Sequence, residues 1–298
     1  MNFEEELNIK TSEINSIIAD YLPKETKYQL RITEAANYSV NAGGKRIRPM
    51  LLMEVYKLCG GNDLNKIKAF MTALECIHTY SLVHDDLPAM DNDDYRRGML
   101  TTHKKYGEDF GVLAGDALLN YAYELMLHDM DNTESSEDLK RAVKAADIIA
   151  RKAGIYGMVG GQSLDVYLTG KPMNEDELDF IFRLKTGALI EAAFMAGATL
   201  AGADDLTVTE LEKAGGLVGV AFQIQDDILD ITSTQEVLGK PIRSDEKNHK
   251  TTYVTLYGFE KAKADVAEMS DKALTIIKNT GDNEFLEQLI CRLINRKK

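Results

Sequence analysis

The chain has 298 residues, 44% hydrophobic and 28% charged, the proportions of a globular protein long enough to bury a large core. A formal net charge of −13 argues against a nucleic-acid surface, whose footprint is basic, but leaves small anionic substrates open because a local cluster can oppose the net sign. Cys59, Cys76 and Cys291 are far apart and in no metal-ligand spacing, and the acidic amino terminus lacks the basic-then-apolar run of a signal peptide; reduced thiols and a cytoplasmic location are expected.

With five prolines and no tryptophan, the chain has few helix breakers, and its apolar residues recur at three and four rather than two. Leu7, Ile14, Ile17 and Ile18 predict an amphipathic first helix ending near Pro23. A second is expected over 26–40, closed by Asn41-Ala-Gly-Gly44, and a third over 47–58, with Pro49 in its first turns and Gly60-Gly61 after it. A fourth starts near Leu64, carries Phe70, Leu74, Ile77 and Leu82 at helical spacing, and runs into an acidic cluster. Further helices are expected over 106–130, 136–152, 154–167, 175–203, 208–230, 233–238, 257–279 and 284–295. The most apolar stretch, 187–203, is interrupted by Glu191 and reads as an interior helix rather than a membrane span. No run alternates at period two, and no Asn-Gly or Asp-Gly pair joins two apolar strands. The expectation is one all-α domain, 1–298, built as a large helical bundle around a central cavity.

Two acidic clusters stand in apolar surroundings. The first places Asp85, Asp86, Asp91, Asp93 and Asp94 within ten residues, followed by Arg96 and Arg97. Asp85 and Asp91 would point apart on an unbroken helix, about 240° at roughly 100° per residue. Pro88 removes an amide donor and disfavours helix at Leu87, which can swing Asp91 back beside Asp85. In the second cluster, Asp226 and Asp230 are four apart and share a helix face, while Asp227 lies about 100° away. Paired carboxylates between Ile224, Ile228 and Leu229 suit a hard cation such as Mg²⁺, although a solvated helix end would read the same way. His78 shares the Asp85 face two turns earlier. Upstream, Gly43-Gly-Lys-Arg-Ile-Arg-Pro49 sets Lys45 and Arg48 three apart at a helix start, beside glycines that allow close approach of an anion. Alone it reads as a solvated basic turn, and the P-loop frame is absent. Together these features describe a site for two polyanions, with metal-assisted loss of a leaving group favoured over a covalent nucleophile.

The sequence resembles the trans-isoprenyl diphosphate synthase family over essentially its whole length, and most of all its bacterial farnesyl-forming branch. The motifs that carry the resemblance occur in family order: Gly44-Lys-Arg-Ile-Arg-Pro49; Asp85-Asp-Leu-Pro-Ala-Met-Asp91 with Arg96-Arg97; Gly160-Gly-Gln-Ser-Leu-Asp165; Lys185-Thr-Gly187; Phe222-Gln-Ile-Gln-Asp-Asp-Ile-Leu-Asp230; and Gly239-Lys-Pro241 followed by Lys250-Thr-Thr-Tyr253. The resemblance implies a homodimer of isoprenoid-synthase fold that joins isopentenyl diphosphate head-to-tail to an allylic diphosphate. It assigns Lys45, Arg48, His78 and Arg97 to the isopentenyl diphosphate, and Arg96, Lys185, Lys240 and Lys250 to the allylic diphosphate. Asp85 and Asp91 would ligate two Mg²⁺ ions and Asp226, with Asp230 through water, a third. Gln162 and Asp165 would support the site, and Thr186 and Gln223 would face the carbocation.

Tyr80 and Ser81, five and four residues before Asp85, are expected to floor the cavity for the growing tail. Farnesyl is the expected main product and geranylgeranyl the nearest alternative. Arg243 departs from the family pattern, where a small residue is expected, and leaves the shape of the closing loop open. Three rival readings are a terpene cyclase, which has no use for Lys45, Arg48 and Arg97; a non-catalytic subunit of a heteromeric synthase, which would be expected to lose one acidic cluster; and a ferritin-type metal protein, for which no Glu-x-x-His pair is present.

Overall fold

A computed structural model of the chain describes residues 2–24, 27–232 and 251–294. It separates into two compact units, Met1–Met53 with Gly61–Ala146, and Glu54–Gly60 with Asp147–Lys298. Both are helical, as the apolar periodicity predicts.

In the first unit, α1 (Phe3–Tyr21) opens with a capping box: Asn2 Oδ1 accepts the Glu5 amide at 2.9 Å, and Glu5 accepts the Asn2 amide at 3.2 Å. α2 (Leu30–Asn41) begins four residues later than periodicity suggests, because Lys27, Tyr28 and Gln29 form a turn. α3 (Ile47–Leu58), whose residues after Met53 are counted with the second unit, has the predicted bounds. After a short 3₁₀ turn, Leu64–Lys66, comes α4 (Lys68–Asp85), the core helix of this unit. It is buried nearly all round, with Phe70, Met71, Leu74 and Ile77 inaccessible to solvent, as a helix surrounded by others must be.

α4 packs on α6 (Glu108–Asp131), where two glycines make room for its end. A Cβ on Gly115 would lie 2.0 Å from His84 Nε2, and one on Gly111 would lie 2.8 Å from Leu87 Cδ2. The short α5 (Thr102–Tyr106) precedes α6, and α7 (Ser136–Ala153) follows it.

One short β feature accompanies the helices of this all-α fold. Tyr95–Arg96 (β1) and Met99–Leu100 (β2) form an antiparallel hairpin, with Tyr95 opposite Leu100 and Arg96 opposite Met99. Its turn residues, Arg97 (φ 53°) and Gly98 (φ 78°), both have positive φ, the backbone of a tight hairpin turn usually supplied by Asn-Gly. The sequence signal was Gly98 alone; arginine in the left-handed region has no compositional marker.

The second unit contains α8 (Met158–Tyr167), α9 (Glu175–Ile181), a π-helical turn (Phe182–Gly187), α10 (Ala188–Ala201), α11 (Asp205–Thr232), α12 (Tyr253–Tyr257), α13 (Phe259–Thr280) and α14 (Glu284–Ile294). α8 starts later than expected because the chain first turns back at Gly157, where an added Cβ would sit 2.0 Å from the Lys152 carbonyl oxygen. The helix expected over 233–238 lies outside the described residues.

The run Glu175–Ala201 is long and apolar enough by composition to cross a membrane, yet 67% of its apolar window is buried within the chain. Within its most apolar part, 187–201, the one charged residue, Glu191, accepts a hydrogen bond from Lys152 Nζ, which also donates to Glu212 at 2.7 Å. It is an interior helix, as read from the sequence. α11 is the unit's central helix and lies against α10 and α13. Gly215 and Gly219 permit the first contact: Cβ atoms there would meet Glu191 Cα at 2.9 Å and Gly187 Cα at 2.5 Å.

Candidate active site

The first carboxylate cluster follows from the way α4 stops. The chain leaves the helix after Asp85 and returns within six residues, so that the Asp91 amide donates to the Asp85 carbonyl at 2.9 Å. The Met90 and Asn92 amides both donate to the Leu87 carbonyl, at 2.9 and 3.1 Å, and Asn92 takes a φ of 53°. This tight loop, with Pro88 inside it, brings Asp91 back beside Asp85 as the proline suggested.

Asp86 turns the other way. It is buried and accepts both bonds of a fork from Arg96 Nε, at 2.7 and 2.9 Å, while Arg96 Nη2 approaches to 2.5 Å. Burial raises the Asp86 carboxyl above its ordinary range, and the Arg96 bonds pull against that rise. Asp93 and Asp94 hold the hairpin. Thr101 Oγ1 donates to the Asp93 carbonyl at 2.8 Å, the Thr101 amide to the Asp94 carbonyl at 3.0 Å, and Lys104 pairs with the Asp94 carboxylate at 2.8 Å.

The hairpin tip carries Arg97 to the glycine motif. Its guanidinium donates to the Gly43 carbonyl and lies over Gly44, where an added Cβ would be 2.6 Å from Cζ. Beside it stands Arg48, whose pKa is lowered to about 10, first by burial and then by the Arg97 charge, against the stabilising pull of Glu75. Arg48 Nε is buried without a hydrogen-bond acceptor, which leaves a cationic donor directed at nothing in the protein. Lys45 is exposed at the same motif.

Arg46, between them, has a different job that sequence reasoning missed. It is buried and donates to Glu75 at 2.6 Å, Asn15 at 2.8 Å and the Val40 carbonyl at 2.8 Å.

His78 faces this arginine cluster from α4. Its pKa lies well below the ordinary imidazole value because of its burial first, and then because of Arg48, Arg97, Arg96 and Arg46. The native ring therefore stays neutral in a range where the unfolded one is protonated. Folding stability is unaffected above about pH 6.5 and falls as the pH drops below it, by at most roughly 1.4 kcal/mol per pH unit for one proton. Denaturant unfolding of wild type and His78→Gln at pH 7.5 and 5.0 checks this: the acid loss is expected to be smaller in the variant, and equal losses would contradict it.

Tyr80 is buried on α4 with its ring edge-on to His84 at 5.8 Å, and burial pushes its hydroxyl up to about 12. Ser81 is half-buried and donates to the His78 carbonyl at 2.9 Å.

In the second unit, Asp226 and Asp230 stand one turn apart on α11 and are half-buried. The π turn carries Lys185 and Thr186, and such turns are an extra-residue distortion often found at functional sites. Lys185 Nζ donates to Asp165 at 2.5 Å, and Thr186 Oγ1 donates to Gln223 Oε1 at 2.9 Å. α8 presses directly on this turn: a Cβ on Gly161 would lie 2.2 Å from the Lys185 amide nitrogen. Gln162 is on the same helix as Asp165. Asp227 is buried and accepts the Tyr253 amide at 2.7 Å, a role sequence reasoning did not assign. Its signal was its place on the Val220–Ile224–Ile228 stripe, which faces inward. Lys240, Lys250 and Arg243 lie outside the described residues.

Among the described residues, no three His, Cys, Asp or Glu side chains gather into a complete metal cage. The donor set nevertheless fits Mg²⁺, which takes one or two carboxylates and completes its shell with water and substrate phosphate oxygens. Helix-borne oxygen donors in each unit, with an arginine cluster in the first, mark the class of protein: an all-α enzyme of diphosphate chemistry.

The chain belongs to the polyprenyl synthetase family, whose model matches residues 29–292. It is 41% identical to the farnesyl diphosphate synthase of Micrococcus luteus over 298 residues, 99% of each chain. It is 45% identical to a chloroplastic geranylgeranyl pyrophosphate synthase of Capsicum annuum over 243 residues, 81% of this chain and 64% of that one. A Helicobacter pylori geranyltransferase, solved in complex with magnesium and isoprenyl diphosphate, superposes with a TM-score of 0.82 at 30% identity, covering 99% of this chain and 97% of that one.

Proposed function

We propose that this protein condenses isopentenyl diphosphate head-to-tail with dimethylallyl or geranyl diphosphate, in a Mg²⁺-dependent reaction, to give farnesyl diphosphate. The observation that carries this reading is the buried, acceptor-less Nε of Arg48 beside Arg97, His78 and the glycine motif. It is a built anion site additional to the carboxylate clusters. A one-substrate cyclase would have no use for it, and a non-catalytic subunit is disfavoured by the presence of both clusters. The family match spans both units, which supports treating 1–298 as one catalytic domain.

Lys45, Arg48, His78 and Arg97 bind the isopentenyl diphosphate, His78 as a neutral hydrogen-bonding ring. Arg96, oriented by Asp86, and Lys185, oriented by Asp165, bind the allylic diphosphate, joined by Lys240 and Lys250. Asp85, Asp91, Asp226 and Asp230 would hold three Mg²⁺ ions, which when bound neutralise the departing diphosphate and so favour ionisation of the allylic C–O bond. Thr186 donates its proton to Gln223, which leaves the threonine oxygen's lone pairs to face developing positive charge. The isopentenyl double bond then attacks the allylic carbon, and the departing pyrophosphate takes the proton released as the new double bond forms.

Incubation of the protein with Mg²⁺, isopentenyl diphosphate and either allylic primer, followed by identification of the alcohols after phosphatase treatment, tests the reading. Condensation with at least one primer is expected; none with either would remove it, and turnover without isopentenyl diphosphate would favour a cyclase.

Tyr80, buried one turn before Asp85, is the proposed floor of the tail cavity, with Ser81 beside it. Tyr80→Ala is expected to shift the main product from fifteen carbons toward twenty or more by chromatography. An unchanged distribution would show that this ring is not the stop. A homodimer is supported by Val112, Leu113 and Leu127, large apolar residues exposed on α6.

A further inference from the structure

We infer that Asp227 and Tyr253 are positioning residues: with Asp227 as anchor rather than cation ligand, they lock the start of α12 against the π turn that presents Lys185 and Thr186. The inference rests on the proposed function only in that these two residues are taken to serve the allylic substrate.

Asp227 is next to Asp226 in sequence, but neighbouring residues on a helix point about 100° apart. Asp227 is 6% exposed, and its Oδ2 accepts the Tyr253 amide at 2.7 Å, a length typical of a charge-assisted bond. The same short segment is tied twice more. Thr251 Oγ1 accepts the Met173 amide at 3.2 Å, and Thr252 caps α12 reciprocally with Thr255.

From this anchored backbone the Tyr253 ring stacks on Phe182, the first residue of the π turn, with centroids 6.4 Å apart and planes at 24°. The other side of the phenol is fixed as well. Its hydroxyl donates to Asp265 at 2.6 Å, Asp265 is held by Lys261 at 2.8 Å, and the ring contacts Tyr257 at 4.5 Å.

A π turn departs from the regular helical ladder, so its shape depends on what packs around it. Gly161 and Gly219 press on its backbone, and Tyr253 braces its first side chain. Loosening that brace displaces Lys185 and Thr186 together, and misplacement of reacting partners by about 1 Å can cost on the order of a hundredfold in rate.

The test compares Asp227→Ala and Asp227→Asn with Asp226→Asn, using amide hydrogen exchange of peptides covering 251–257 and 182–187 together with Mg²⁺ titration of the condensation rate. Asp227→Ala is expected to speed exchange in both peptides by about tenfold or more, the loss of one hydrogen bond to a charged acceptor. It is expected to lower kcat and raise the KM for the allylic diphosphate, with the half-saturating Mg²⁺ concentration unchanged. Asp227→Asn keeps an acceptor oxygen and is expected to restore most of the exchange protection. Asp226→Asn is expected to do the reverse, raising the Mg²⁺ requirement with exchange unaltered.

If Asp227→Ala does not fold, Tyr253→Leu removes the stacked ring and carries the same expectation for 182–187. Wild-type exchange over 182–187 in the folded variants, or a Mg²⁺ shift in Asp227→Asn as large as that of Asp226→Asn, would overturn the inference. Failure of wild type to condense any primer would remove the proposed function instead, and the exchange comparison would still decide the anchoring role.

Discussion

Asp85→Ala is expected to lower turnover by about a thousandfold while the protein remains folded. On the proposed reading this carboxylate holds cation against the leaving diphosphate, and such stabilisation of departing charge is worth several kcal/mol, with each 1.36 kcal/mol a factor of ten. The loop closure itself does not use the side chain, because it is the Asp85 carbonyl that accepts the Asp91 amide at 2.9 Å. The side chain itself is only half-buried at the end of α4, where substitutions usually change stability by about 0.5 kcal/mol or less. Steady-state rates at saturating Mg²⁺ and a thermal melt separate the two effects. A wild-type rate would show that the metal site is misplaced, and a large fall in Tm would show that Asp85 is structural. Asp86→Ala should differ, since it frees Arg96 from its bidentate partner and leaves that cation without its orienting contact.

The largest stability effect is expected at Glu75. Its carboxylate and the Arg46 guanidinium form an ion pair at 2.6 Å with side chains 2% and 3% exposed. Glu75→Ala leaves the buried Arg46 charge without a counter-ion, which costs about 3–5 kcal/mol. For a chain of this size that corresponds to a fall in Tm of roughly 10 °C, measurable by calorimetry. The effect extends beyond one pair, because Glu75 is also the carboxylate that stabilises the charged forms of Arg48 and Arg97. Without it three arginines face one another with less compensating negative charge, which a bound diphosphate would supply. Saturating isopentenyl diphosphate is therefore expected to recover more Tm in the variant than in wild type, as linkage requires for a ligand of the folded state. An unchanged Tm in Glu75→Ala would show that Arg46 is neutralised by another route.

Much of this was legible in advance because helices write their period into the sequence. The bounds of α3 were read directly, α7 and α13 were placed to within a residue or two, and the return of Asp91 toward Asp85 followed from one proline. What escaped was structure with no period. The hairpin at 95–100 has strands two residues long, too short to alternate, and its turn uses an arginine with positive φ. The five-residue helices α5 and α12 are likewise too short to show an apolar stripe. The π turn is invisible because its residues have the composition of the helices on either side.

By itself, the sequence determined which stretches are helical, where the carboxylates and cations cluster, and which family the motifs spell out, since these depend on spacing and order along one chain. Only the tertiary structure decided among neighbours: Asp86 on Arg96 while Asp85 meets Asp91, Arg46 sealed against Glu75 while Arg48 keeps a free donor, and Asp227 buried on the Tyr253 amide while Asp226 is half-buried. The reason is geometric. Residues one apart on a helix differ by about 100° in direction, so chemically identical side chains meet different surroundings, and those surroundings are built by segments distant in sequence.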